Sequence, residues 1–113
     1  MEIVFDNRRL EKVCMQTREA VKELGSDDAR KLQQRIGELR AAETLEDFCR
    51  LPGPRCHELT KNRAGQFAAD LKHSRRLVMI PEGHPVPCKP DGGIDRALVR
   101  SIRILGVVDY HGD

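Results

Sequence analysis

The hydrophobic pattern changes period once along this chain, and that change limits the folds open to it. Before Leu51-Pro52-Gly53-Pro54 the apolar residues recur at helical spacing; after it they alternate or run together, as in strands. Upstream, Leu10, Val13, Cys14, Thr17, Val21 and Leu24 make one continuous helical stripe. Gly25 follows as a helix-ending residue, and Ser26-Asp27-Asp28 supply the cap and acidic first turn of a second helix. Ala29, Leu32, Ile36 and Leu39 form its buried side, which leaves Arg30, Lys31, Arg35, Glu38 and Arg40 in water. Residues 1–6 read as a short first strand, and Asp6 or Asn7 can cap the first helix. Thr44-Leu45-Glu46-Asp47 has the form of a capping box opening one short turn, with Phe48 as its anchor.

Downstream, residues 56–60, 65–71 and 76–80 read as strands, with Phe67, Ala69 and Leu71 on one face of the second. Residues 81–93 hold four prolines and three glycines and form a loop. The last and longest strand spans 96–111, with Leu98, Ile102, Ile104, Val108 and Tyr110 in one phase. This order predicts one α+β domain over residues 1–113. A first strand and a helical hairpin pack on one face of a small, largely antiparallel sheet. The hairpin's arms are too long for a DNA-reading helix-turn-helix.

The chain has 113 residues, 39% apolar and 34% charged, which suits one globular core. No apolar run approaches the roughly 18 residues that span a bilayer. The opening residues lack the basic and apolar regions of a signal peptide, so the expectation is a cytoplasmic protein without a membrane partner. Cys14, Cys49, Cys56 and Cys88 show no CxxC pair and are expected reduced. Cys56-His57 and His84-x3-Cys88 lack the two tight pairs of structural zinc, so neither a metal nor a cofactor is expected. Net charge is only +2, but residues 50–76 carry seven Lys/Arg against Glu58 and Asp70. That concentration permits a nucleic-acid partner.

Three segments hold the groups able to do chemistry: His57, Lys61 and Arg63; Arg75-Arg76; and Asp109-Tyr110-His111, which a β-branched run delivers. Such a set suits RNA cleavage without metal. A base takes the ribose 2′-OH proton, that oxygen attacks the adjacent phosphorus, and an acid protonates the leaving 5′ oxygen. Histidine titrates near neutrality, and arginine's fork engages two phosphate oxygens of the charged intermediate. Each residue also has a structural reading. His57 can be an ordinary strand histidine, Arg76 can reach solvent from an apolar strand, and Lys61 and Arg63 can be turn charges. Tyr110 can be a core ring with its hydroxyl at the edge. In an extended strand Asp109 and His111 share a face and Tyr110 takes the other.

Taken together, the sequence resembles the RelE/ParE superfamily of type II toxins, and most of all its HigB-type branch. The likeness runs from the first strand and helical hairpin through Arg40-Ala41-Ala42-Glu43-Thr44, Leu51-Pro52-Gly53, His57-Glu58-Leu59, Arg63-x-Gly65 and Arg76-Leu77 to Asp109-Tyr110-His111. The resemblance implies a ribosome-dependent mRNA endonuclease held in check by a cognate antitoxin, expected to be a helix-turn-helix protein. It places His57, Arg76, Asp109, Tyr110 and His111 in catalysis, with Lys61, Arg63 and Arg75 against RNA. The sequence departs from the branch at Thr60, where a lysine is usual and Lys61 follows one step later, in its modest charge, and in the loop over residues 81–93. Alternatives are a ParE-like toxin acting by binding and a scaffold that keeps only partner binding.

Overall fold

The computed structural model describes residues 1–109. β1 (Glu2–Phe5) leads into α1 (Arg8–Met15), α2 (Thr17–Leu24), α3 (Ser26–Ala41) and the short α4 (Leu45–Cys49). β2 (His57–Glu58), β3 (Phe67–Asp70), β4 (Arg75–Pro81) and β5 (Ser101–Asp109) complete the chain. The sheet order is β1-β5-β4-β3-β2; β1 runs parallel to β5 and every other pair is antiparallel. This is the α+β architecture expected, with the helices on one face.

The expected first helix is two. Gln16 is extended (φ −119°, ψ 118°), so α1 ends and α2 starts with its phase reset. Leu10, Val13 and Cys14 point into the core, but beyond the break Ala20 is buried and Val21 is exposed. Arg9 ties the two pieces together through Glu19 and Glu23, each at 2.6 Å. Two caps stand where expected: Asn7 Oδ1 accepts from the Leu10 amide at 2.8 Å, and Thr44 Oγ1 from the Asp47 amide at 3.2 Å. Gly25, at φ +84°, both ends α2 and precedes α3, a left-handed turn that glycine makes without steric cost. Ser26 is therefore the first helical residue rather than the cap.

The core joins Leu32 and Leu39 of α3, Leu45 and Phe48 of α4, and Phe67, Leu77, Met79, Ile102 and Ile104 of the sheet, all fully buried. Phe48 anchors α4 as expected. Two charged residues are also buried: Asp28, of the acidic first turn, and Arg35, which was expected in water. Asp28 accepts from the Lys72 amide at 3.0 Å and from Arg75 at 2.9 Å, and Arg75 also donates to the Leu24 carbonyl at 2.7 Å. One carboxylate thereby docks the β3–β4 turn onto the start of α3.

The last strand begins at Ser101; residues 96–98 form a single 3-10 turn, and Leu98 is exposed. A bulge interrupts β4–β5, because Val78 pairs with Gly106 but Met79 with Ile104. Leu105 is the extra residue, and it shifts the side-chain alternation by one. The single phase expected from Ile102 to Tyr110 therefore fails at Val108. Val107 packs on the core, while Val108 registers with Arg76 and Asp109 with Arg75.

Removing the buried carboxylate should show how much the docked turn contributes. Asp28→Ala is expected to cost about 3 kcal/mol in urea unfolding, since it strands Arg75 and the Lys72 amide. Asp28→Asn, which keeps an acceptor, should cost less.

Candidate functional site

The sheet has two faces with different company. Phe67, Ala69, Leu71, Leu77 and Met79 face the helices. Register puts Ala68, Asp70, Arg76, Val78 and Val108 on the other face, together with His57, which pairs with Ala68. We call this the outer face. From His57 to Arg76 is two strand spacings across and one pleat repeat along, a Cα separation of about 12 Å. A histidine and an arginine side chain can flank one small group across that gap.

Arg76 is held there by Asp70, Nη1 to Oδ1 at 2.6 Å. The second carboxylate oxygen of Asp70 lies 3.6 Å from Arg55 Nε. Two guanidinium groups thus converge on one carboxylate at the end of β3. The loop carrying Arg55 is fixed from beneath. Arg35, buried in α3, donates from Nη2 to the Gly53 carbonyl at 3.0 Å and from Nε to the Asp70 carbonyl at 2.7 Å, with Glu38 on its third nitrogen at 2.8 Å. The Asp70 amide in turn donates to the Pro54 carbonyl at 2.7 Å. Arg55 itself sits at φ +49°, a conformation costing a non-glycine residue of order 1 kcal/mol, which these surrounding bonds sustain.

His57 is exposed on the edge strand, with Nδ1 2.9 Å from the Arg55 carbonyl oxygen. A carbonyl only accepts, so Nδ1 carries the proton, and in the neutral ring Nε2 holds the free lone pair. The ring is oriented and its basic nitrogen points away from the backbone that holds it. Lys61 and Arg63 form a single 3-10 turn between β2 and β3, with Lys61 exposed at φ +59°.

The other sequence candidates lie elsewhere or outside the described residues. Arg75 faces the helices, bound to Asp28 and Leu24. Asp109 registers with Arg75, and its carboxylate accepts from the Ser74 hydroxyl. Both border a cleft of about 370 Å³ between the α2–α3 and β3–β4 turns. Arg76 and His57 therefore share a face that Asp109, by register, does not. Tyr110 and His111 lie outside the described residues. Arg55, Asp70 and Arg35 are not among the site candidates read from the sequence. Arg55 has only its nearness to Leu51-Pro52-Gly53 as a signal, Asp70 reads as one of two acids in a basic stretch, and periodicity assigns Arg35 to water.

Arg103 occupies the far end of the outer face, paired with Glu82 through two bonds of 2.8 and 3.1 Å. That pairing lowers the Glu82 carboxyl below its ordinary range, the Arg103 hydrogen bond being the main cause. Among the described residues no group of three or more His, Cys, Asp or Glu side chains could hold a metal ion, and no helix is long and apolar enough to cross a membrane.

No protein-family model and no curated protein matches the chain by sequence. By backbone shape it has the fold of the YoeB/ParE toxins. It is similar over 98% of its length to all of a YoeB/ParE toxin from Agrobacterium tumefaciens, at a TM-score of 0.60 and 10% identity. It is also similar to a YoeB-YefM complex and a YoeB dimer from Staphylococcus aureus. Their TM-scores are 0.57 and 0.54, their identities 13% and 14%, and in both cases the match covers 99% of this chain and 98% of that one.

Asp70 neutralises part of the outer face. Asp70→Asn should therefore hold heparin to higher salt than the wild type, measured as the elution point in a sodium chloride gradient.

Proposed function

We propose that this chain is the toxin of a type II toxin–antitoxin pair and cleaves mRNA on the ribosome. The observation that carries this reading is the placement of His57 and Arg76 on one face of a YoeB/ParE-like fold, with Arg55 brought to the same carboxylate as Arg76. His57 Nε2 takes the proton from a ribose 2′-OH. The resulting oxygen attacks the adjacent phosphorus, and Arg76 and Arg55 stabilise the charge gathering on the equatorial oxygens. Expulsion of the 5′ oxygen, protonated by His111, leaves a 2′,3′-cyclic phosphate and a 5′-hydroxyl. The reaction is balanced by groups of the protein and needs no cofactor.

Tyr110 stacks on a base, an interaction worth about 1–3 kcal/mol, and Lys61 and Arg63 contact flanking phosphates. Asp109, anchored by Ser74, orients the Tyr110-His111 segment that follows it. Arg75 has no RNA contact in this reading, because Asp28 and the Leu24 carbonyl engage its guanidinium. A cognate antitoxin is the natural partner, as one structural neighbour is a YoeB-YefM complex. Within the superfamily, the terminal Asp-Tyr-His and the Leu-Pro-Gly…His segment favour the HigB type. A cytoplasmic location follows from action on ribosomes.

The test is inducible expression with mapping of mRNA 5′ ends. Wild type should produce new ends on translated messages. His57→Ala should reduce them by about 10²–10⁴-fold, and Arg76→Ala by about 10²–10³-fold, both with native circular dichroism. Undiminished cleavage in both variants removes the mechanism. Growth arrest with intact mRNA and damaged DNA instead favours a ParE-like toxin acting by binding, the reading that the Agrobacterium neighbour's description keeps open.

A further inference from the structure

We propose that Asp70 is a tethered stand-in for phosphate: its carboxylate fills the place between Arg55 and Arg76, and a phosphodiester enters by displacing it. This rests on the reading that the outer face binds RNA, and it names what controls that binding. Register sets Asp70 beside Arg76 on the outer face, and the Asp70 amide bonds the carbonyl of Pro54, the residue before Arg55. The carboxylate therefore stands between the two arginines. Its oxygens divide between them, Oδ1 2.6 Å from Arg76 Nη1 and Oδ2 3.6 Å from Arg55 Nε. A phosphodiester offers the same pattern, one negative charge spread over two non-bridging oxygens, each able to accept from a guanidinium.

The backbone of Asp70 is pinned on both sides. Its amide is held by Pro54 at 2.7 Å, and its carbonyl accepts from Arg35 Nε at 2.7 Å. Rotation of the side chain is thus what clears the site. The three side chains also differ in access. Asp70 is 19% exposed and Arg76 29%, whereas Arg55 is 77% exposed. An incoming phosphate meets Arg55 first and gains Arg76 as the carboxylate turns away.

The exchange brings little net electrostatic gain, because one negative charge replaces another between the same two cations. The carboxylate also competes from a tether, at an effective concentration of about millimolar or above. A free strand at lower concentration is therefore held weakly at this point, and firm seating needs contacts elsewhere on the face. Asp70 so becomes a determinant of which RNA is seated. A strand already positioned against the outer face displaces the carboxylate, and a diffusing one does not.

Binding of a 2′-O-methyl RNA hexanucleotide to the full chain tests this by fluorescence anisotropy at about 150 mM salt. The oligomer lacks the nucleophilic hydroxyl, so it reports binding apart from cleavage. Asp70→Asn keeps the side chain's size and the backbone bonds of residue 70. It should bind tighter by about tenfold or more, the share of one charge-assisted bond. Glu58→Gln is the control, removing one charge from neighbouring β2, where the carboxylate accepts from the Gly65 amide at 3.1 Å. It should change affinity by less than about threefold, as a screened charge does. Adding Arg76→Ala to Asp70→Asn should cancel the gain. Equal tightening in Asp70→Asn and Glu58→Gln overturns the proposal, since charge at a distance then suffices. Unchanged or weaker binding by Asp70→Asn overturns it too, by making the carboxylate a support for Arg76, as does an oligomer that no variant holds. Failure of the cleavage reading shows separately, as translated messages without new 5′ ends in cells expressing the wild type.

Discussion

One buried guanidinium holds the candidate site in place. Arg35 leaves α3, crosses the edge of the core, and binds the carbonyls of Gly53 and Asp70 while Glu38 balances its charge. An arginine in that position is tolerated because each of its three nitrogens donates to an oxygen; without those bonds its desolvation would cost several kcal/mol. The consequence is mechanical. The loop bearing Arg55 and the end of β3 bearing Asp70 are tied to the same helix, so the outer-face charges keep a fixed geometry. Asp28 does the equivalent for the β3–β4 turn, from which β4 and Arg76 depart.

The β4–β5 bulge is the second constraint. A regular ladder would have placed Val108 with the core and Asp109 outward. The extra Leu105 reverses this, bringing Asp109 to Ser74 on the helix side and Val108 beside Arg76. Within the proposed mechanism, Asp109 becomes the anchor of the segment that follows it rather than a member of the reacting group. The fold thus divides these charged residues by position: Asp28, Arg35, Arg75 and Asp109 fasten one element to another, and His57, Arg55 and Arg76 lie at the outer face.

The fold class was legible because it depends on period, and period survives local error. The Asn7 and Thr44 caps, the Phe48 anchor and the Phe67-Ala69-Leu71 face all follow from short-range rules. The break at Gln16 was not legible. Nothing in Met15-Gln16-Thr17 is a helix breaker, and only packing reveals that the phase resets. Arg35 was misread for a related reason: its helical position is intermediate, and only the Gly53 and Asp70 carbonyls explain its burial. The bulge leaves no mark in an unbroken apolar run. His57 and Arg76 were singled out because their residue types can carry chemistry, whereas Arg55 and Asp70 join that face through a long-range contact that no spacing encodes.

The claim that Arg35 governs the site is open to direct measurement by native-state hydrogen exchange in Arg35→Met. The Asp70 amide, which bonds the Pro54 carbonyl, reports on the loop; the Leu77 amide, facing β3, and the Val78 amide, facing β5, report on the sheet. The account predicts that Asp70 loses protection well beyond any loss at Leu77 and Val78. Equal loss at all three, or unchanged protection at Asp70, would contradict it.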